Sequence, residues 1–159
     1  MKWLSEWWHG TAVVEPATTR DAARLAQLHD ASFAHGWGEG EFEIMIGERN
    51  TLVQCLRLDH RTIGFAVSRI GADEAEILSV AVDSAYRGRG FSRMLLLTHL
   101  GYLAGRGART IFLEVEENNQ PARRLYEGSG FVVVGRRERY YMQPDGEQLN
   151  ALLMRRDLS

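Results

Sequence analysis

The sequence predicts a single α/β domain, in which a mixed, mostly antiparallel sheet of about seven strands is flanked by about four helices. Three observations support this fold class. The chain has 159 residues, which suits one domain, and no Pro-, Gly- or Ser-rich linker divides it. Short runs with strand-like alternation are separated by segments with apolar residues at helical spacing. All three prolines fall at the boundaries of these segments, where a missing N–H costs least.

The first half of the chain predicts a strand, two helices and a hairpin. The strand is TAVVEP, and Thr18 with Asp21 forms a capping pair that begins the following helix. A second, short helix is expected from Glu41 to Ile46. The runs TLVQCLRL and RTIGFAVSRI flank the dipeptide Asp59-His60 and predict two antiparallel strands.

The second half predicts four further elements before a final pair of strands. EAEILSVAV is a strand, Met94–Leu103 a long apolar helix, and RTIFLEV a buried strand. Gln120–Glu127 is expected to be a helix, because Asn119 can cap it and Pro121 falls in its first turn. FVVVGRRERYYM, the turn PDGE and NALLMRR predict the antiparallel pair. The long helix is therefore the one crossover connection of the sheet.

Charge and cysteine content narrow the class of function. The formal net charge is −2 with both signs interspersed, which gives no electrostatic reason to expect a nucleic-acid or membrane partner. The single cysteine, Cys55, cannot form a disulfide within the chain, and the five histidines show no zinc-ligand spacing. We therefore expect a metal-free, cytoplasmic protein in which Cys55 is a buried structural thiol and not a nucleophile.

The first ten residues, MKWLSEWWHG, form a Trp-rich extension ahead of a domain that spans residues 11–159. A short helix there would place Trp3, Leu4, Trp7 and Trp8 on one side. Such a stripe could dock on a membrane or a partner, but we expect it to pack on its own domain. No continuous apolar run or small-residue cleavage site follows the start, so a signal peptide is not expected.

The stretch AYRGRGFSR, residues 85–93, places two glycines among arginines where a strand pattern gives way to a helix pattern. Glycine permits close backbone approach or a positive φ, and the N–H groups at the start of a helix, here from about Gly88 to Ser92, suit a diphosphate. Arg93 occupies the position at which a dinucleotide-binding fingerprint requires its third glycine. The sequence also contains no Gly-Lys-Ser/Thr, which a Walker loop requires. These residues alone leave two interpretations: a phosphate-binding loop of another type, or a strand-to-helix turn whose arginines are solvated.

Two longer stretches, AEILSVAVDSAYRGRGFSRMLLL and IFLEVEENNQPARRLYEGSGFVVVGRRERYY, resemble the Gcn5-related N-acetyltransferase (GNAT) superfamily. Arg87-x-x-Gly90-x-Ser92 is similar to its pyrophosphate loop, with Ser92 where relatives usually carry glycine or alanine. LEVEENN, ARRLYEGSGF, RRERYY and the final DGE…ALLMRRDL resemble the RimI type, the bacterial ribosomal-protein-alanine N-acetyltransferases. The resemblance extends from about Val13 to Leu158, although Gly38 stands where that type commonly carries serine.

The resemblance implies an N-acetyltransferase that uses acetyl-CoA and no metal. It places the cofactor on a strand, the loop and a helix cap: Val80, Ala81, Val82, Arg87, Gly88, Arg89, Gly90, Phe91, Ser92 and Asn119. It also implies that a substrate amine attacks the thioester directly, while Glu114 takes up the amine proton, directly or through water, and Tyr126 protonates the thiolate. Tyr126 follows Asn119 by two helical turns, so both face the same way, and a half-buried core tyrosine is the alternative.

The strand pattern singles out Glu114 independently. In RTIFLEVE, Ile111, Leu113 and Val115 share one face, which leaves Phe112 and Glu114 on the other. A carboxylate in so apolar a strand is costly unless it lies in water or at a functional cleft. A solvated rim position is therefore the alternative to a catalytic one.

The resemblance also suggests where an acceptor would bind. Relatives place an acceptor-binding helix-loop at SFAHGWGEGEF, so Phe33 and Trp37 are candidate walls, and Tyr140 and Tyr141 could close the other side. Ordinary core contacts are the alternative for all four aromatic residues.

The expected acceptor is the α-amino group of a protein N-terminus, with alanine of a small ribosomal protein as the leading candidate. An α-amine has a pKa of about 8 and a lysine amine about 10.4, so a carboxylate base suits the former better. A lysine or small-molecule amine as acceptor, and a non-catalytic CoA-binding module, are alternatives that the sequence leaves open.

Overall fold

A computed structural model describes residues 11–142, 146 and 148–158. The predicted Trp-rich extension, residues 1–10, lies outside the described residues. Within the described part, the strands are β1 (Ala12–Pro16), β2 (Thr51–Leu58), β3 (Arg61–Gly71), β4 (Glu74–Val82), β5 (Thr110–Glu116), β6 (Val132–Met142) and β7 (Gln148–Asp157). The α-helices are α1 (Ala22–Ser32), α2 (Glu39–Gly47), α3 (Phe91–Gly105) and α4 (Gln120–Gly128).

The strands form one seven-stranded sheet in the order β1-β2-β3-β4-β5-β7-β6. Its pairs are antiparallel except that of β4 with β5, which is parallel and is connected through α3. The predicted fold class is therefore confirmed. The prediction of a single crossover is wrong, because β5 and β6 run parallel with β7 between them, so α4 forms a second crossover connection. Among the described residues, no helix is both long and apolar enough to cross a membrane.

Local sequence explains how several of these elements begin and end. The backbone N–H of Thr18 donates to Asp21 Oδ2 over 2.8 Å, so the predicted capping pair is present. Between β2 and β3, Asp59 and His60 have φ of 49° and 70°, the left-handed values that a two-residue type I′ hairpin turn requires. Helix α3 extends beyond the predicted Met94–Leu103 at both ends. It begins directly after its N-cap, Gly90, and ends at Gly105.

The helices bury apolar residues against both faces of the sheet. On one face, Leu100 and Leu103 of α3 pack against Ile111 and Leu113 of β5. On the other, α1 and α2 cover β2, β3 and β4. Cys55 lies in this second layer with no exposed surface, and burial raises the pKa of its thiol to about 12, as a structural thiol requires.

The sheet opens between β4 and β5. Among the described residues, these strands pair only from Glu74 opposite Thr110 to Ile77 opposite Leu113. The register of β4 against β3 shifts at the same level, which leaves Leu78 as an extra residue on β4. A bulge of this kind bends its strand. Beyond it, β4 continues along β3 and β5 along β7, and the edges that the two strands turn toward each other are unpaired.

A buried polar contact ties α3 to the sheet beside this bulge. His99 has no exposed surface, and its ring nitrogens lie 2.7 Å from Ser68 Oγ and 2.8 Å from Gln54 Oε1. Burial lowers the pKa of His99 to about 3, so the ring is neutral and can donate to Gln54 while accepting from Ser68. Helix α3 is thereby held against the sheet at the level where β4 and β5 separate.

Candidate active site

The loop between β4 and α3 begins at an acidic cap. Asp83 Oδ1 accepts a 3.0 Å hydrogen bond from the Ala85 N–H, and Asp83 Oδ2 accepts one of 2.9 Å from Arg24 of α1. Further along, Gly88 and Gly90 have φ of 77° and 81°, values that side chains rarely tolerate. Both glycines of AYRGRGFSR are therefore required by the backbone of this loop.

The start of α3 presents main-chain donors toward this loop. The first helical hydrogen bond runs from the Met94 N–H to the Gly90 carbonyl, 3.1 Å away. The N–H groups of Ser92 and Arg93 come before this bond and are not paired within the helix. Phe91 is 5% exposed, and its side chain belongs to the core. Such a helix start favours an anion.

Two predicted arginines lie at the mouth of the loop. Arg87 Nε donates to the Val82 carbonyl over 3.3 Å, which holds this exposed side chain against the end of β4. The guanidinium of Arg89 lies 5.7 Å from the centre of the Tyr86 ring. These contacts leave cationic groups beside the donors at the start of α3.

The predicted strand residues Val80, Ala81 and Val82 occupy the part of β4 beyond the last pair with β5. Ala81 and Val82 are buried, so their side chains serve the core while the backbone edge borders the opening. Gly64 of β3 lies opposite, and a Cβ there would meet the Ala81 carbonyl at 2.9 Å. Gly64 therefore supports this edge, and an isolated glycine within a strand pattern was the available sequence signal.

Helix α4 carries two of the predicted residues. Asn119 caps it, because its Oδ1 accepts a 3.2 Å hydrogen bond from the Ala122 N–H. Tyr126 is half-buried, and its ring centre lies 5.9 Å from that of Phe131 in an edge arrangement. Tyr126 packs on the core that contains Leu113, on the α3 side of the sheet.

Glu114 lies on the opposite face of β5. The predicted alternation is confirmed, since Ile111, Leu113 and Val115 are at most 5% exposed while Glu114 is half-buried. Glu114, one residue beyond the last pair of β4 with β5, and Tyr126 therefore lie on opposite faces of the sheet.

Glu114 has a cationic partner that sequence reasoning missed. Its Oε1 lies 2.9 Å from Nη2 of Arg137 on β6. The Glu114 side chain is 19% exposed and that of Arg137 is 60% exposed, so the carboxylate is the more sheltered member of the pair. The run RRERYY contains several arginines, and only the pairing of β5, β7 and β6 decides which of them reaches Glu114.

A groove of about 580 Å³ begins at this ion pair. From Glu114 and Arg137 it runs over Phe112 toward the adjoining ends of β3 and β4. Charged groups of both signs line it, namely Arg69, Glu74 and Glu76 in addition to the pair. In the part of the chain that the structure describes, no three His, Cys, Asp or Glu side chains are grouped to hold a metal ion.

The two aromatic residues predicted after α1 meet on one histidine. The ring centres of Phe33 and Trp37 each lie 4.4 Å from that of His29, and Trp37 is stacked on it at 15°. His29 Nδ1 accepts a 3.0 Å hydrogen bond from the Trp37 N–H. Burial lowers the pKa of His29, opposed by Glu41 and Asp30, so the ring stays a neutral acceptor.

His29 was not predicted to have a role, although its spacing of four from Leu25 places it on the buried face of α1. Phe33 remains 40% exposed, which leaves it available to a ligand. The other predicted walls, Tyr140 and Tyr141, belong to β6 by their backbone, and their side chains lie outside the described residues.

Comparison with known proteins gives a consistent result. The Acetyltransferase (GNAT) family model matches residues 22–131. A [ribosomal protein bS18]-alanine N-acetyltransferase of Haemophilus ducreyi is 31% identical over 142 residues, which cover 89% of this chain and 97% of that protein. The crystal structure of the ribosomal-protein-S18-alanine N-acetyltransferase from Escherichia coli has a TM-score of 0.86 and 29% identity, covering 94% of this chain and 95% of that chain. Arabidopsis thaliana NAA60 in complex with acetyl-CoA shares the fold, with a TM-score of 0.81, 23% identity and coverage of 93% and 99%.

Proposed function

This chain belongs to the acetyltransferase (GNAT) family, and we propose that it transfers the acetyl group of acetyl-CoA to the α-amino group of a protein N-terminus. The observation that carries the proposal is the half-buried carboxylate of Glu114 at the opening between β4 and β5. Relatives named ribosomal-protein-alanine N-acetyltransferases match nearly the whole chain, so alanine of a small ribosomal protein is the leading acceptor. Residues 11–159 would form the catalytic domain, and a ribosomal acceptor implies a cytoplasmic location.

The cofactor fits the main-chain groups that border the opening. Its pyrophosphate would accept hydrogen bonds from N–H groups between Gly88 and Ser92, with Arg87 and Arg89 adding positive charge. The pantetheine arm would lie along the free edge of Val80–Val82, as an added strand does, and contact Asn119 at the start of α4. Acetyl-CoA supplies the thioester, and the acetyl group would then lie in the opening.

The chemistry needs no covalent intermediate on the protein. The neutral acceptor nitrogen attacks the thioester carbonyl, so a C–N bond forms and the C–S bond breaks. Glu114 takes up the proton that the nitrogen loses, directly or through water, and Tyr126 gives a proton to the departing thiolate. Their location on opposite faces of the sheet is compatible with this division, in which the amine would approach from the Glu114 face and the thiolate would leave on the Tyr126 face. Holding amine and thioester in attack geometry supplies much of the rate.

The acceptor site would lie on the Glu114 side of the sheet. Exposed Phe33 and half-buried Trp37, both resting on His29, are suited to border a small first side chain. An α-amine, with a pKa of about 8, loses its proton more readily than a lysine amine of about 10.4. The difference of roughly 2.5 units is on the order of 3 kcal/mol in favour of the α-amine.

The decisive experiment compares two forms of one peptide. A peptide that begins with alanine and contains a lysine is incubated with the protein and acetyl-CoA, with its α-amine either free or chemically capped. Mass spectrometry should detect acetylation of the free form only. Equal acetylation of the capped peptide would identify a lysine acceptor, and bound acetyl-CoA without turnover on any amine would identify a non-catalytic CoA-binding module.

A further inference from the structure

We propose that Arg137 makes the acceptor amine bind as the free base, because it neutralises the charge of Glu114 at the reaction centre. The inference rests on the proposed function and adds to it an electrostatic residue from β6. Arg137 is a positioning residue in this scheme, since it acts on the amine through Glu114.

The contact between the two side chains is direct. Arg137 Nη2 lies 2.9 Å from Glu114 Oε1, a distance typical of a charge-assisted hydrogen bond. A carboxylate offers about four lone-pair positions, so this contact leaves capacity for a hydrogen of an incoming amine. The carboxylate is mostly buried and the guanidinium is mostly exposed. Because both side chains line the groove, an acceptor in the groove can reach Glu114 while Arg137 stays in place.

Other charged groups lie near Glu114 on this face of the sheet, among them Glu116 of β5 and Arg155 of β7, which is paired with Asp157. Arg69 of β3 is the cross-strand neighbour of Glu76 of β4, and Glu74 lies at the far end of that strand. Arg136, next to Arg137 in the sequence, lies 3.1 Å from Glu117 of the loop before α4. Among the ion pairs of the described residues, the partner of Glu114 is Arg137.

Neutralisation matters because only the unprotonated amine can attack. At neutral pH most α-amine carries a proton, since its pKa is about 8. An unpaired carboxylate would stabilise the ammonium form and raise the pKa of the bound amine. The guanidinium of Arg137 stays charged over the whole pH range of the assay, so it offsets the effect of the carboxylate on the pKa of the amine at every pH. The ammonium proton then passes to solvent on binding, and Glu114 is left to accept the second proton, which the nitrogen loses after attack.

The test is the pH dependence of the single-turnover rate with saturating acetyl-CoA and saturating alanine-initiated peptide. In Arg137→Gln, the acid limb of this profile should move to higher pH by on the order of one unit. The rate should therefore be reduced at pH 7 and recover in alkaline buffer. Arg137→Lys keeps a cation and should keep the wild-type limb. Arg136→Gln, a matched change one residue away, should also leave the limb in place.

Two results would overturn the inference. One is an Arg137→Gln profile whose acid limb coincides with that of the wild type, and the other is a rate reduced equally at every pH, as loss of packing alone would cause. Thermal unfolding and the acetyl-CoA dissociation constant confirm that each variant is folded. Failure of the proposed function is separable, because the wild-type protein would then not acetylate the peptide at any pH.

Discussion

The proposed cofactor side and the proposed acceptor side of this protein, called here the cofactor side and the acceptor side, are built from different kinds of groups. The cofactor side consists mainly of backbone from one stretch of chain, Val80 to Ser92, with an N–H-rich helix start and an unpaired strand edge. The acceptor side is assembled from side chains of α1, the following loop, β5 and β6. Its contacts join side chains from different elements: Trp37 stacks on His29 of α1, and Glu114 of β5 pairs with Arg137 of β6.

This difference explains which part each kind of substitution should damage. A backbone site depends on dihedral angles and on the space beside the chain, so it is sensitive to glycine replacement and tolerant of most side-chain changes. A side-chain site depends on particular functional groups and on the residues that orient them. Substitutions on one side should therefore leave binding on the other side nearly intact.

The largest effect is expected from Gly90→Asp on the cofactor side. A side chain at φ of 81° is strained by roughly 1–3 kcal/mol, and a carboxylate at the helix start repels the pyrophosphate. Titration calorimetry should detect no binding of CoA. Gly101→Asp is the matched control, because it adds the same side chain to the exposed surface of α3, where a Cβ meets nothing within 4 Å. Unchanged CoA affinity in Gly90→Asp would show that the cofactor lies elsewhere.

On the acceptor side, Glu114→Gln should reduce turnover by about 10²- to 10⁴-fold, since a general base acts at the chemical step. Binding of acetyl-CoA should stay within about twofold of the wild type, because the cofactor site is made of other groups. The measurements are the single-turnover rate and calorimetry on the same sample. Glu138→Gln provides the control, as its side chain is 76% exposed and pairs with Arg136. A wild-type rate in Glu114→Gln would show that Glu114 is not the general base.

The same contrast sets how much the sequence could predict. The strands, the helices and the glycine loop follow from local periodicity, caps and breakers, and each lies within a few residues of its predicted position. Glu114 was predictable because alternation within its own strand assigns its face. Arg137 and Gly64 were not assigned roles, since their partners belong to other strands and depend on the register of the sheet.

The smallest predicted effect concerns His29 on the acceptor side, which contacts both Phe33 and Trp37. His29→Leu removes the acceptor of the Trp37 N–H and leaves that donor partly buried and unpaired. We expect KM for the peptide to rise by roughly three- to tenfold and the free energy of unfolding to fall by about 1–3 kcal/mol, because an unsatisfied group costs about that much. KM for acetyl-CoA should be unchanged. His29→Asn can present an oxygen near the position of Nδ1 and should recover part of the peptide affinity without recovering the ring stacking. If His29→Leu raised KM for the peptide and KM for acetyl-CoA equally, His29 would be stabilising the fold as a whole. The separation of a cofactor side made of backbone from an acceptor side made of side chains would then not apply to α1.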